Sequence, residues 1–178
     1  MKKLILSMAA LLFLAAAFAF VQAGIWQISD KYNIHFTGGG EIGGIFKTFK
    51  GAIVFDENNL PAANFDVSID VASINTGNGL MNTHAKSAEW FDAAKYPVIN
   101  FRSKKIVKSG AGYQVTGDLD IHGVKKEMTL PFSFQNKGAT ATFNGSFIVN
   151  RNDFHIGKPG GDVDNNIKLE IMVPVVKK

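Results

Sequence analysis

The strongest constraint on the fold of this chain is an alternation of apolar and polar residues that begins after residue 23. In residues 65–71, FDVSIDV, every odd position is apolar and every even position is aspartate or serine. A period of two places alternate side chains on opposite faces of a β-strand. Further segments with this period are residues 49–55, 113–121, 128–134, 143–149 and 167–175. The sequence therefore predicts a mainly β protein whose strands each bury one face.

The number of these segments favours a barrel. An opening strand near residues 26–36 and another over residues 98–107 bring the total to about eight. Turn residues at positions 109–110 and 122–123 join neighbouring segments, which is typical of an antiparallel meander. Eight such strands with one apolar face close naturally into a barrel. A two-sheet sandwich is the alternative that the pattern leaves open.

One long segment, residues 78–95, interrupts the β pattern. Its sequence around GLMNTHAKSAEWFDAAK is rich in helix-forming residues. Ser87 is predicted to cap the helix N-terminus, with Glu89 and Asp92 in the turn that follows. Pro97 then favours an extended chain into the next strand. We expect a short helical excursion that covers one end of the barrel.

The first 23 residues have the features of a secretory signal peptide. Two lysines precede a long apolar run that ends in Val21-Gln22-Ala23, which predicts cleavage after Ala23. The alternative is an uncut membrane anchor. Cleavage would leave residues 24–178 as one domain, and no other stretch is apolar and long enough to span a bilayer. We therefore expect no stable membrane anchor in the mature protein.

Charge and cysteine content exclude several classes of protein. The formal net charge of +4 falls by two when the leader and its two lysines are removed, so a nucleic-acid partner is not expected. The chain contains no cysteine, which excludes disulfides and an anchor through a lipid-modified cysteine. We expect the mature protein in the periplasm or outside the cell.

No recognisable catalytic or metal-binding motif is present. The sequence lacks a G-x-S-x-G elbow, an H-E-x-x-H pair and a phosphate-binding loop. The four histidines, His35, His84, His122 and His155, are dispersed, without the spacing of paired metal ligands. We expect no metal and no cofactor, and no Ser/His/Asp triad is singled out.

The alternation also assigns the residues of the inner wall. They are Phe49, Ile53, Phe55, Phe65, Val67, Ile69, Phe101, Leu119, Phe132, Phe134, Phe143, Phe147 and Ile171. By the same alternation, Gly51, Gly117 and Gly145 also lie on the inward face of their strands. Small residues among large ones either relieve crowding in a filled core or leave room for a ligand. The alternation does not distinguish a filled core from a ligand cavity.

Six motifs in order resemble the YceI-like family of exported, lipocalin-shaped proteins over essentially all of residues 24–178. They are WQISDKYNIHF (26–36), GIFKTFKGAIVFD (44–56), VSIDVASINTGN (67–78), HAKSAEWFDAAKYPVINFRS (84–103), VTGDLDIHGVKKEMTLPFSF (115–134) and NRNDFHIG (150–157). One departure is Asn82, where the family usually has an aspartate two residues before the histidine.

The resemblance implies an all-β, eight-stranded antiparallel, lipocalin-like barrel with a tunnel for an isoprenoid chain or a similar amphiphile. It implies that the inner-wall residues contact the chain and that Trp90 and Phe91 close the tunnel mouth. His84, Lys86 and Lys95 are then candidates for contacts with a polar head group. The alternative for the two lysines is an ordinary solvated helix face.

Three functions follow as hypotheses. The first is a non-enzymatic carrier or store of an isoprenoid-type lipid. The second is an enzyme that modifies such a lipid, with His84 as general base. The third is a stress-related protein whose barrel is filled by its own side chains. The sequence does not identify the lipid, and it is compatible with either a monomer or a homodimer.

Overall fold

The computed structural model describes residues 24–178, so the predicted signal peptide lies outside the described residues. The strands are β1 (Ile25–Ile28), β2 (Asn33–Thr37), β3 (Gly43–Phe46), β4 (Phe49–Val54), β5 (Asn64–Asp70), β6 (Ile74–Asn75), β7 (Val98–Ser109), β8 (Gly112–Ile121), β9 (Val124–Asn136), β10 (Thr140–Asn150) and β11 (Asn166–Lys177). The one α-helix found in these residues is α1 (Gly79–Lys86). Short 3-10 turns cover Leu60–Ala62, Val71–Ser73 and Arg151–Phe154.

These strands form a closed, eight-stranded antiparallel barrel, which confirms the predicted fold class. The order around the barrel is β1, β4, β5, β7, β8, β9, β10 and β11, and β1 pairs with β11 to close it. The short strands β2, β3 and β6 extend the positions of β1, β4 and β5 toward the end that carries α1. Eleven strand segments therefore occupy eight positions in the wall.

Two stretches of extended chain near the N-terminus are each divided by a break. The predicted strand over residues 49–55 corresponds to β4, and β3 precedes it across a break at Lys47 and Thr48. The break shifts the alternation by one residue, because Phe46 and Phe49 both point inward and pack against the core. The opening strand divides in the same way into β1 and β2, and Ile34 of β2 is fully buried.

The predicted turns connect adjacent strands. Ser109 ends β7 and Gly112 begins β8, with Gly110 at a φ of 56°. His122 and Gly123, at φ values of 54° and 75°, join β8 to β9. Positive φ at both central residues matches the right-handed twist of the flanking strands, which explains the tight hairpin.

The ladder between β9 and β10 is short. Residues 132–136 of β9 pair with residues 141–145 of β10, and pairing stops at Pro131. Proline has no backbone N–H to donate. Residues 124–131 then pair only with β8, and residues 146–150 only with β11. We call the gap between these two unpaired stretches the seam.

The end of the barrel opposite α1 is filled by aromatic side chains. Phe55 is 1% exposed, and its ring centroid lies between 4.8 and 6.1 Å from those of five neighbours. The neighbours are Phe65, Tyr113, Phe132, Phe134 and Phe143. Trp26 closes the cluster and donates its indole N–H to the Phe55 carbonyl at 2.9 Å. We call this group the aromatic end.

The helical excursion lies where the sequence predicts it, but its predicted cap was wrong. Asn78 caps α1, because its side-chain oxygen accepts the backbone N–H groups of Leu80 and Met81 at 2.9 and 3.1 Å. Ser87 follows the last helical residue instead of preceding the first. Its hydroxyl is buried without a hydrogen-bond partner among residues 24–178. After Ser87 the chain continues in turns, and Asp92 adopts a φ of 43°.

Candidate functional site

A cavity of about 600 Å³ lies between the aromatic end and α1. Its wall is almost entirely apolar. The polar residues among those that line it are Ser68, Thr76, His84, Asn144 and Arg151. Predicted inner-wall or mouth residues that line it are Phe49, Ile53, Phe65, Val67, Ile69, Trp90, Phe91, Phe101, Leu119, Phe132, Phe143, Phe147 and Ile171. The barrel interior is thus only partly filled by its own side chains.

Two predicted wall residues lie elsewhere. Phe55 and Phe134 do not line the cavity, contrary to expectation, but pack against each other in the aromatic end with ring centroids 4.8 Å apart. Their inward orientation follows from the alternation. Their depth along the barrel axis does not, because a period of two carries no information about which end of the barrel is filled.

The two predicted head-group lysines are also absent from the cavity wall. The ammonium nitrogen of Lys95 lies 5.1 Å from the centroid of the Tyr96 ring. Its hydrogen bond with the Tyr96 side chain raises the pKa of Lys95 above its ordinary value. Lys86, the last residue of α1, is half-buried and outside the wall. Of the three predicted head-group residues, only His84 lines the cavity.

Some wall residues were missed by the sequence analysis. Ile34 is 0% exposed and Phe46 is 5% exposed, and both line the cavity. The alternation of Ile34 with the more exposed His35 places Ile34 inward, but the predicted wall does not include it. Phe46 was hidden by the strand break at residues 47–48. Hydrophobic residues of β7 and β8, such as Ile99 and Val115, complete the wall.

The α1 end of the cavity is covered by a lid, which we define as α1 together with residues 87–93. Ala85, Trp90 and Phe91 of the lid line the cavity. The Trp90 indole N–H donates to the Nε2 atom of His84 at 2.7 Å. A ring nitrogen that accepts a hydrogen bond carries no proton, so this contact fixes the His84 tautomer with its proton on Nδ1. The lid therefore presents an aromatic surface with one imidazole at its edge.

Arg151 is the buried charge of the site. It is 2% exposed, lines the cavity and places its guanidinium carbon 5.4 Å from the centroid of the Trp90 ring. It donates to the backbone carbonyls of Ile156, Lys158, Gly160, Val163 and Asp164 and to the side-chain oxygens of Asn152 and Asn165. No carboxylate is among these acceptors. The guanidinium thus ties the loop of residues 152–165 together directly behind the lid.

Local sequence patterns indicate this role of Arg151 only weakly. Arg151 lies in the motif NRNDFHIG, but its acceptors are mostly backbone carbonyls, which carry no residue-specific signal. The lid and the loop are joined further by the N–H of Gly157, which donates to the Glu89 carbonyl at 3.1 Å. Lys158 and Glu89 add an exposed ion pair at 3.6 Å.

The histidines do not converge. His35 lies beside Glu170 on the outside of β2, at 3.6 Å, and His122 contacts the Phe154 carbonyl at 3.1 Å. Within residues 24–178, no group of three histidine, aspartate or glutamate side chains is placed to hold a metal ion. None of the helices in the described part of the chain is long and apolar enough to cross a membrane.

Comparison with known proteins identifies relatives along almost the whole described chain. The model of the YceI-like domain matches residues 26–175. Protein YceI of Escherichia coli is 30% identical over 154 residues, which cover 83% of this chain and 81% of that protein.

Two solved structures share the fold. The crystal structure of BcnA from Burkholderia cenocepacia superimposes with a TM-score of 0.79 at 27% identity, covering 83% of this chain and 99% of that one. A polyisoprenoid binding domain from Saccharophagus degradans, implicated in plant cell wall breakdown, has a TM-score of 0.67 at 15% identity. It covers 88% of this chain and 99% of that one, and at this identity the likeness concerns the fold alone.

Proposed function

The chain belongs to the YceI-like family, and from that premise we propose that it binds and carries an isoprenoid-type lipid, or a similar long-chain amphiphile, in the barrel cavity. The observation that carries the proposal is the apolar cavity of about 600 Å³ in the barrel interior. Protein sites for small molecules have volumes of roughly 300–1,000 Å³ and are mostly apolar. A side-chain-filled barrel would not leave this space.

The chemistry of the wall favours a hydrocarbon chain. Removing apolar surface from water contributes about 25 cal/mol per Å², so a long chain in this cavity binds without many polar contacts. The related fold of the Saccharophagus degradans domain, which is described as polyisoprenoid binding, supports an isoprenoid in particular. Branched isoprenoid chains also suit a wall of phenylalanine and β-branched side chains.

We place the polar end of the ligand at the lid. His84 and Trp90 lie at the cavity edge there, and the buried guanidinium of Arg151 lies behind the Trp90 ring. Lys86 and Lys95 are outside the wall, so they do not contribute to this site in our proposal. The Nδ1–H group of His84 is a donor that an oxygen of the head group can accept.

We further propose that the lipid is bound without conversion. His84, the only histidine in the cavity wall, is engaged with Trp90, which is not a nucleophile or a proton acceptor. A general base needs the reacting proton within hydrogen-bond reach. The other ionisable side chain in the described cavity wall, Arg151, donates its N–H groups to seven acceptors in the loop of residues 152–165 and has no proton-accepting atom.

The site of action that we propose is the periplasm. The support is the leader, in which Lys2 and Lys3 precede an apolar run ending at Ala23. An exported carrier of this kind would hold a water-insoluble lipid away from water between membranes. The N-terminus of the mature protein should then be Gly24.

Binding can be tested by titrating delipidated protein with the prenyl alcohol geranylgeraniol while recording tryptophan fluorescence. The chain has two tryptophans, of which Trp90 lines the cavity and Trp26 lies at the aromatic end. We expect a saturable change in the wild type that is lost in Trp90→Phe, although that variant still co-elutes with the alcohol. Absence of both the signal and co-elution in the wild type would contradict the proposal.

A further inference from the structure

The seam is an opening in the barrel wall that the backbone does not close. Pairing between β9 and β10 ends at Phe132 and Gly145. Beyond these two residues β9 pairs only with β8, and β10 pairs only with β11. No ladder among residues 24–178 spans the gap between residues 124–131 and residues 146–150.

The cavity reaches into this gap. Phe132, Gly145 and Phe147 point inward and line the cavity at the end of the short ladder. Pro131 and Asn144 alternate with them and therefore face outward, yet both also line the cavity. The same two residues line a recess of about 330 Å³ on the outer surface. The cavity and the outer recess thus meet the same residues of the wall where the ladder ends.

The exposed strand edges are poorly suited to pairing with another β-strand. Lys125, Lys126 and Pro131 lie along the free edge of β9, and lysine and proline at an edge oppose strand addition. Lys126 makes an ion pair with Asp153 at 3.1 Å at the lid end of the seam, between exposed side chains. A partner strand is therefore not the occupant that this edge favours.

One exposed apolar side chain lies beside the seam. Ile148 lies on the free edge of β10 and is 61% exposed. The aromatic end blocks the far end of the cavity, so a chain that enters under the lid cannot leave straight through the barrel. The seam offers a way out between β9 and β10, where Ile148 provides an apolar contact to a chain that emerges.

Resting on the lipid-binding function proposed above, we propose that the seam is a lateral outlet for the distal part of a long apolar chain. A cavity of about 600 Å³ encloses a ligand of ordinary drug size, whereas long polyprenyl chains are larger. With an outlet, the polar end stays at the lid and the surplus chain passes between β9 and β10. The protein then accepts chains that are longer than the cavity can enclose.

The absence of cysteine allows a direct test, because an introduced thiol is unique. Ser146→Cys places a thiol at the outer recess, and Thr142→Cys places one on the same strand where the ladder is intact. Both variants are alkylated with pyrenyl maleimide. Affinities are then measured for geranylgeraniol and for solanesol, a prenyl alcohol with a much longer chain.

We expect the adduct at position 146 to weaken solanesol binding more than tenfold and to change geranylgeraniol binding less than twofold. The adduct at position 142 should change neither. Ile148→Cys, alkylated in the same way, gives a second obstruction, because Ile148 lies on the free edge of β10 and is not part of the cavity wall. It should likewise weaken solanesol binding and leave geranylgeraniol binding unchanged.

Equal affinities for solanesol with and without these obstructions would overturn the outlet, as would equal weakening of the two alcohols. If neither alcohol binds the unmodified wild type, the lipid-binding function itself is wrong. The two failures are therefore distinguishable in one experiment.

Discussion

At the scale of single residues, the face on which a side chain lies decides how a substitution acts. Ile171 and Met172 are neighbours on β11 with opposite orientations: Ile171 lines the cavity, and Met172 is 40% exposed on the outside. Met172 pairs with Asn144 and Asn33, which are both uncharged. The two positions therefore form a matched pair for testing the inward face.

Ile171→Asp should strongly destabilise the ligand-free protein, whereas Met172→Asp should be nearly silent. Burying an unpaired carboxylate costs several kcal/mol or forces it to bind a proton. A surface substitution changes stability by about 0.5 kcal/mol or less. Urea denaturation measures the free energy of unfolding of both variants. Equal losses of stability at the two positions would show that Ile171 does not face the barrel interior.

Tyr113 gives the protein a pH dependence at high pH. It is 7% exposed at the aromatic end and donates to Glu57 at 2.8 Å. Burial, together with this hydrogen bond to the Glu57 carboxylate, raises the pKa of Tyr113 to about 12. An unfolded tyrosine has a pKa of about 10.

Because the folded-state pKa is the higher one, the contribution of Tyr113 is fully present below pH ~10 and is lost between pH ~10 and ~12. The expected loss is on the order of 2 kcal/mol. Urea denaturation at a series of pH values should show a steeper fall in this range for the wild type than for Tyr113→Phe. Parallel curves would mean that the Tyr113 hydroxyl is not held neutral by its surroundings.

At the scale of secondary-structure elements, local sequence signals predicted the turns and the helical segment correctly but misplaced the helix cap. Turn residues predicted the hairpins at positions 110 and 122–123, and helix formers predicted an excursion after residue 78. The cap failed because Asn78 and Ser87 are both good capping residues, so propensity alone could not separate them. Pro131 is a local sign of an unpaired strand edge, but the extent of the seam and the Arg151 loop depend on contacts between distant segments.

Arg151 is the element-scale feature with the largest expected effect. Arg151→Lys should destabilise the protein by about 3 kcal/mol or more, because one ammonium cannot replace a guanidinium fork that serves seven acceptors, and buried carbonyls are left unpaired. The measurement is urea denaturation combined with limited proteolysis, which should cut between residues 156 and 165.

Arg102→Lys is the matched control for this prediction. Arg102 has a side chain that is 75% exposed, and it pairs with Asp66 at 3.2 Å on the barrel surface. Exposed ion pairs contribute only about 0–1 kcal/mol, so this variant should retain wild-type stability. If both variants behaved alike, the buried guanidinium would not be what holds the loop.

At the scale of the whole molecule, the barrel has two functional halves. One end is a packed aromatic core, and the other is a lidded cavity. The alternation in the sequence predicted the inward face of both halves, but it could not separate them, since Phe55 and Phe147 share the same parity. Which half is filled depends on how rings from five strands meet in three dimensions.

Alanine substitutions at Phe55 and Phe147 distinguish the packed half of the barrel from the half that contains the cavity. Phe55→Ala removes a ring that is 1% exposed and surrounded by five aromatic neighbours, so it should cost roughly 3–5 kcal/mol of stability. Phe147→Ala enlarges an existing cavity and should cost clearly less, with its larger effect on ligand affinity. Urea denaturation measures the loss of stability, and fluorescence titration measures the loss of ligand affinity. A loss of stability for Phe147→Ala as large as that for Phe55→Ala would contradict a ligand cavity.

If the proposed function is correct, the cavity carries a lipid in the cell. Native mass spectrometry can detect it in protein purified from its own host under conditions that retain bound lipid. We expect a complex whose extra mass corresponds to an intact isoprenoid-type lipid or a similar long-chain amphiphile, and which loses that mass on organic extraction. A protein that is always empty, or one that releases a chemically altered lipid, would contradict it.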